Sequence, residues 1–469
     1  MKSTIKKKFD FLALENLFII IGLIFGLILV FVNPPWQSND EDRHYYISYK
    51  FSEGEFIPKY ESAINIPRNV VRVTQSFQGL PFHNGTKINS QQMKELEKIP
   101  VNSKDRFIFS TPNIPNLNPA YIPNAIGILI GRILKPYPVW TMWFGRMGGL
   151  FFYLIIMYLV IRLTPIFKGV FFVFGLSPMV LFQSASITYD TMSTVLCFMT
   201  IALTLRYALI ESETLNLKNT LLVLIVIIFA QLSKGGYILL PIIMFIVPLK
   251  KFGGWAKLIP FFIFFALLYF FENATINSFV ASINPLKVES STGAAVMQND
   301  FEGNSSQMVS YFVSKPFEAI DIAIKNILMQ RENWIGGIMG RFGYSYLLLP
   351  IPILILQWIV IIVVAFFESK SEYKLNILQK TIILAIGIIS YFLIIFGMWA
   401  GSSPLGAKMV FGLQGRYFVP IVPVLLLFLY NSQYEIKSWH KWKGIILSIY
   451  SIAILIYTVT YMNDYYYSN

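Results

Sequence analysis

Cysteine is nearly missing from this chain: Cys197 is the single one in 469 residues. One thiol excludes an intramolecular disulfide and a thiolate metal cluster, since each needs at least two. Charge is scarce too. Asp, Glu, Lys and Arg make up 13% of the residues, against about a quarter in a soluble chain of this size. Histidine occurs only as His44, His83 and His440, with no spacing to serine and acid that marks a nucleophilic triad and no HExxH pair of zinc proteases. No glycine-rich phosphate loop follows a strand, so cytoplasmic nucleotide binding has no support. Internal repeats and low-complexity linkers are missing as well.

What remains is apolar. Hydrophobic residues make up 55% of the chain, with 41 Phe and 26 Tyr, the composition of an all-α polytopic integral membrane protein. The formal charge of +13 lies in short clusters between apolar runs, a pattern that sets topology rather than binding nucleic acid. The N-terminal MKSTIKKKFD resembles a signal-peptide start, but the run behind it is long and lacks a cleavage site, so the first helix is expected to be retained.

A bilayer crossing takes about 20 apolar residues. Eleven candidate spans follow: 15–33, 141–163, 166–184, 188–209, 219–233, 237–249, 255–275, 344–367, 377–398, 417–431 and 443–460. The stretch 118–134 carries two prolines and an arginine and is expected to lie as an interfacial helix on the outer surface. With Met1 inside, six short cytoplasmic segments hold nearly half of the 38 Lys and Arg, the positive-inside bias of a consistent topology. Two large loops, 34–140 and 276–343, then face outward. They divide the chain into a first module (1–275, with loop 34–140), the second loop (276–343) and the C-terminal helices (344–469). The triplets NGT (84–86) and NSS (304–306) match glycosylation acceptors, which arise often by chance.

Directly after the first span, Asp40, Glu41, Asp42 and His44 crowd together in "NPPWQSNDEDRHYY". Three readings apply. Asp40 with another loop acid can hold Mg²⁺ or Mn²⁺. A carboxylate beside Trp36, Tyr45 and Tyr46 can serve as a general base, because desolvation raises its basicity, and the same aromatics suit sugar faces. Asp40 or Asp42 can also simply cap a helix through "EDRHYYISYKF", the reading favoured for Asp42. Elsewhere, Asp190 is either an N-cap of span 188–209, in competition with Thr188, or functional. Lys234 in the outer turn "LSKGGY" either snorkels to lipid phosphates or grips a substrate phosphate. Arg341 and Arg416 open apolar spans from the outer side, where head-group anchoring competes with ligand binding. Gln414 and Gly415 precede Arg416, and a glycine admits close approach of a ligand. Three cations at one membrane level suit a polyprenyl phosphate.

The segments "NPPWQSNDEDRHYYISYKFSEGE", "LSPMVLFQSASITYD", "LSKGGYILLP", "GRFGYSYLLLP" and "GLQGRYFVPIVP" occur in an order that resembles the domain-of-unknown-function family 2142, grouped with the GT-C glycosyltransferases. The resemblance runs from about Asn33 to Pro423 and is most specific at Asp40-Glu41-x-x-His44 and at Gln414 to Phe418, which includes Tyr417. It implies a GT-C-like bundle in the bacterial cytoplasmic membrane with its active site on the outer face. It further implies a sugar donor carried on polyprenyl phosphate and an envelope-glycan acceptor. Asp40 would be the base or a metal ligand, with Glu41 and His44 beside it. The sequence departs from the pattern at Asn39, where proline is expected. It departs again in "GRFGYSYLLLP", which lacks an expected acid and so weakens any two-acid metal site. A lipid-linked glycan flippase is the alternative from another class, and an envelope-glycan polymerase or ligase is a third. Spans nearly free of ionisable residues favour an enzyme over a transporter.

Overall fold

The computed structural model describes residues 11–56, 63–80, 86–110, 118–237, 239–254, 257, 259–263, 266–267, 305–368, 372–404, 406–434 and 439–467. Span 255–275 lies mostly outside these residues, as do His83, Asn84 and Gly85 of the first glycosylation triplet, Asn304 of the second, and residues 276–304 of the second loop.

The chain is predominantly helical. Helix α1 (Leu14–Val32) is about 28 Å long at 1.5 Å per residue, enough to cross a bilayer. Pro34 and Pro35 follow it, and neither can donate to a continuing helix. Helix α2 (Glu41–Ser52) carries the acidic cluster. A two-stranded antiparallel ribbon, β1 (Ala63–Pro67) and β2 (Arg106–Ser110), brackets α3 (Arg68–Gln75) and α4 (Ser90–Leu96). Arg106 at the ribbon's end binds Glu53 through both carboxylate oxygens, at 2.9 and 2.8 Å, tying the ribbon to the end of α2.

Next come α5 (Ile122–Leu134), α6 (Pro138–Leu163), α7 (Lys168–Gly175), α8 (Pro178–Ser184), α9 (Asp190–Leu209), α10 (Leu217–Ser233) and α11 (Leu249–Phe252). The second loop contributes α12 (Ser305–Ser314), α13 (Pro316–Met329) and α14 (Arg331–Met339). A small hairpin follows, β3 (Arg341–Phe342) and β4 (Leu347–Leu348), then α15 (Ile351–Phe366), α16 (Ile377–Ser402), α17 (Val422–Leu427) and α18 (Trp439–Tyr467).

Among the described residues, five helices are long and apolar enough to cross a membrane: Leu14–Val32, Pro138–Leu163, Asp190–Leu209, Ile377–Ser402 and Trp442–Tyr467. Other expected spans are shorter or broken, and proline is the common cause. Span 166–184 divides into α7 and α8 at Ser177–Pro178, because a residue before proline is driven out of the helical region and Ser177 is extended. In span 237–249 the described residues form 3-10 turns around Pro241. Span 417–431 is a 3-10 turn containing Pro420, followed by the six residues of α17. Span 344–367 starts late, after the hairpin and Pro350.

The segment 118–134 also departs from expectation. Instead of lying across the bundle end, α5 pairs lengthwise and antiparallel with the first half of α6. Gly127 faces the Phe144 carbonyl and Gly148 faces that of Pro123. A Cβ on either would come within 2.2 Å of that oxygen, so the two backbones meet only because both positions are glycine.

Contacts sort the helix ends into two groups. At one end, Gly444 of α18 lies against Leu12 and Leu17, and Glu368 after α15 accepts from Lys443 Nζ (2.6 Å) and from the Gly169 amide (3.0 Å). The other end gathers the end of α1, α2, the starts of α6 and α9, the end of α10, the β3–β4 hairpin and the turn at Gly415.

Candidate functional site

Asp40 stands between α1 and α2 at φ 56, ψ 18, the left-handed region. Asp is one of the few residues that tolerates it, at some cost. Its side chain makes no capping hydrogen bond and is half-buried, so the capping reading does not apply to it. Asp42 accepts from Gln78 at 3.4 Å, and burial pushes its carboxyl up from the ordinary value.

Glu41, expected beside Asp40 in the catalytic set, is fully buried and fully engaged. Arg146 donates to it from Nε (2.8 Å) and Nη2 (2.7 Å), and the Ile187 amide adds a bond at 3.0 Å. The remaining donors of Arg146 go to the carbonyls of Val30, Asn33 and Pro34 at 2.6–2.8 Å. One guanidinium thus fastens the end of α1 and the start of α2 to α6. The Ser38 amide gives Glu41 a fourth donor at 3.3 Å, so every lone-pair direction of the carboxylate is taken and Glu41 fixes the chain next to Asp40. Arg146 was missed in the sequence, although an arginine inside a long apolar helix signals a buried partner.

His44, one turn into α2, bonds Tyr121 Oη through Nδ1 at 2.7 Å and meets the Tyr189 ring edge-on at 4.9 Å. Burial pushes its imidazole down to about 4, outweighing the nearby carboxylates of Asp40 and Asp190. It is therefore neutral at physiological pH.

Trp36, Tyr45 and Tyr46, expected to shape a sugar pocket, are buried instead. Trp36 packs on Tyr45 at 5.6 Å and on Phe77 at 5.3 Å. Tyr45 bonds Thr141 Oγ1 at 2.7 Å and donates to the Pro138 carbonyl. Tyr45 thus seats α2 against α6 with Trp36 packed behind it, and none of the three lies on the wall of the cavity beside Arg416.

Asp190 opens α9 without capping it; its amide is instead received by Thr188 Oγ1 at 3.2 Å. Its carboxylate faces Lys234 Nζ (2.7 Å) on one oxygen, and Arg416 Nη1 (3.7 Å) with Gln183 Nε2 (3.4 Å) on the other. Lys234 therefore turns inward rather than snorkelling to lipid. Its ammonium lies 4.0 Å from the Tyr417 ring centre and 5.0 Å from that of Tyr189, the geometry of a cation–π cage.

Arg416 is held by a backbone contact that the sequence reading assigned to a ligand. Gly415 packs on α14: a Cβ there would stand 2.4 Å from the Asn333 carbonyl and 2.7 Å from Gly337 Cα. The glycine serves helix packing, and the following arginine is aimed by it.

A cavity of about 180 Å³ opens beside this set. Asn39, Arg341, Tyr344, Ser345, Gln414 and Arg416 lie on its wall, with Gly337 and Gly415 behind. Arg341 Nε, Gln414 Oε1 and Arg416 Nε are buried without hydrogen-bond partners among the described residues. Buried polar atoms are nearly always paired, so these three are open to a polar ligand or to water. The cavity thus brings together Asn39 (next to Asp40), Arg341, Gln414 and Arg416. Lys234, Asp190 and Tyr417 form the layer behind Arg416.

Among the described residues no group of three His, Cys, Asp or Glu side chains converges as a metal centre. Asp190, the acid nearest in role to a second ligand, has both oxygens facing cations or an amide donor. This chemistry fits Mg²⁺ or Mn²⁺ poorly.

A family model described as "Predicted membrane protein (DUF2142)" matches residues 23–425. No curated protein and no solved structure matches the chain.

Proposed function

From a chain that belongs to the DUF2142 family of predicted membrane proteins, and from its cavity, we propose a membrane glycosyltransferase. It moves a sugar from a polyprenyl-phosphate-linked donor to a hydroxyl of an envelope glycan or related acceptor. The observation that carries this reading is the cavity wall: two arginines with unpaired Nε atoms, together with Asn39, whose chain neighbour Asp40 has a carboxylate that makes no capping bond. Arginine offers a donor fork matched to phosphate oxygens, and a half-buried carboxylate can take a proton.

The acceptor oxygen attacks the anomeric carbon as Asp40 removes its proton. The bond from that carbon to the phosphate oxygen breaks, the electron pair leaves with the lipid phosphate, and the configuration inverts. Arg416 and Arg341 receive the charge that develops on the leaving oxygen, a role worth about 10²–10³ in rate per donor. Lys234 neutralises Asp190 and holds it as a counter-ion behind Arg416. The full set of eleven crossings, the outward face of the site and a bacterial plasma-membrane location belong to the same proposal.

The test is purified protein in proteoliposomes with a radiolabelled polyprenyl-phosphate sugar and a soluble acceptor. Label transferred to acceptor by the wild type and lost in Asp40→Asn supports the reading. Movement of intact lipid-linked sugar between leaflets without transfer replaces it with a flippase.

A further inference from the structure

The last turn of α18 lies beyond the family match, yet it reaches the cavity's hairpin. Tyr466 is buried, and its hydroxyl stands 3.1 Å from that of Tyr346. Tyr346 spends its proton on Gln37 Oε1 at 3.3 Å, so Tyr466 is the donor of the pair. Gln37 sits in the same short loop as Asn39 and Asp40, and Asn39 Nδ2 in turn contacts Ser345 Oγ at 3.5 Å. The hairpin turn has two left-handed residues, Gly343 at φ 62 and Ser345 at φ 70. A Cβ at Gly343 would press on Tyr466 Oη at 2.9 Å. The helix end itself is fixed: Lys87 Nζ donates to the carbonyls of Asp464 and Tyr465, and the Ile88 amide to that of Tyr466 at 2.8 Å.

We infer that Tyr466 is a positioning residue for the anion cavity. Its hydroxyl, relayed through Tyr346 to Gln37, holds the hairpin bearing Arg341 in register with the loop bearing Asp40. The physical reason is geometric. Arg341 starts a two-residue strand, too short to fix its own orientation, and Tyr466 reaches that hairpin from a helix anchored along its length. The identity of the anion rests on the glycosyltransferase reading; the coupling of helix end to hairpin does not.

The experiment uses the full chain with Cys197→Ser and Ser345→Cys, reconstituted in vesicles. The rate of maleimide labelling at position 345 is measured with and without farnesyl phosphate. Tyr466→Phe removes one hydroxyl and keeps the ring. It is expected to speed labelling and raise the farnesyl phosphate concentration for half-protection, each roughly five-fold, the worth of one net hydrogen bond, with Tm within about 2 °C. Tyr346→Phe, which loses the bond to Gln37 as well, should do at least as much, and the double variant should be no worse than Tyr346→Phe alone, because the Tyr466 hydroxyl acts only through that of Tyr346. Unchanged labelling in Tyr466→Phe, effects that multiply in the double variant, or changes that merely track a fall in Tm overturn the proposal. If labelling speeds up while farnesyl phosphate protects no variant, the coupling stands and the anion reading of the cavity falls.

Discussion

A left-handed aspartate costs backbone energy, and Asp40 spends it while its carboxylate makes no capping bond. Asp40→Asn keeps shape and backbone preference but removes basicity. It is expected to lower transfer by about 10²–10⁴, while Asp42→Asn costs little; equal activities would remove Asp40 from the base role. Arg416→Lys retains charge but loses the fork, so turnover should fall with insertion and yield intact, as purification and the radiolabel assay report. Glu41 and Arg146 behave otherwise, because their worth lies in mutual burial. Arg146→Met alone strands a buried carboxylate and should cost about 3–5 kcal/mol of stability, much of it regained in Arg146→Met/Glu41→Leu, read as Tm in detergent. His44 adds a pH term. Its folded pKa of about 4 lies below the ordinary 6.5, so between these values the unfolded chain binds the extra proton. Stability therefore falls as pH drops from 6.5 towards 4. His44→Gln should flatten that slope in Tm measured across the window.

Elements place these residues, and close backbone approach is their main device. Gly415 meets Gly337 of α14 with no room for a methyl group. Gly415→Ala forces the two backbones apart, a displacement that overpacking studies put at about 1–3 kcal/mol. It should lower Tm and raise the donor KM together, since Arg416 moves with its neighbour; a change in Tm alone would separate the glycine from the site. Sequence reading found this motif but assigned its glycine to a ligand, because one strand of text cannot show which backbone lies opposite. The same limit hid the pairing of α5 with α6. The turn at Lys234 was legible as a turn, whereas the direction of its side chain was not: that depends on Asp190, 44 residues earlier, and on two aromatic rings. Prolines explain the shortened spans. Hydropathy alone averages over them, while each one ends a helix locally.

At the scale of the molecule, the apolar composition and the alternation of runs were enough to read a helical membrane protein, and α1, α6, α9, α16 and α18 are the helices they identified best. The irregular half-spans were not legible, since their stability comes from neighbours rather than from their own periodicity. In a Cys197→Ser background, Ser90→Cys at the site end and Ser212→Cys at the opposite end should separate. An impermeant maleimide applied to intact cells is expected to label only the first, and the reverse result would invert the orientation of the site. Arg146 adds a consequence for biosynthesis. It and Glu41 are 105 residues apart, and at about 5–20 residues per second roughly 5 to 20 seconds of translation separate their emergence. During that interval the segment after α1 has no anchor for Glu41 and no reason to hold Asp40 in its left-handed pose. When α6 arrives it brings a charge whose transfer into a membrane is itself unfavourable, and the waiting carboxylate relieves that cost. The geometry of the first loop is therefore complete only once Arg146 of α6 is in place, and a nascent chain released before residue 146 would carry the acidic cluster without it.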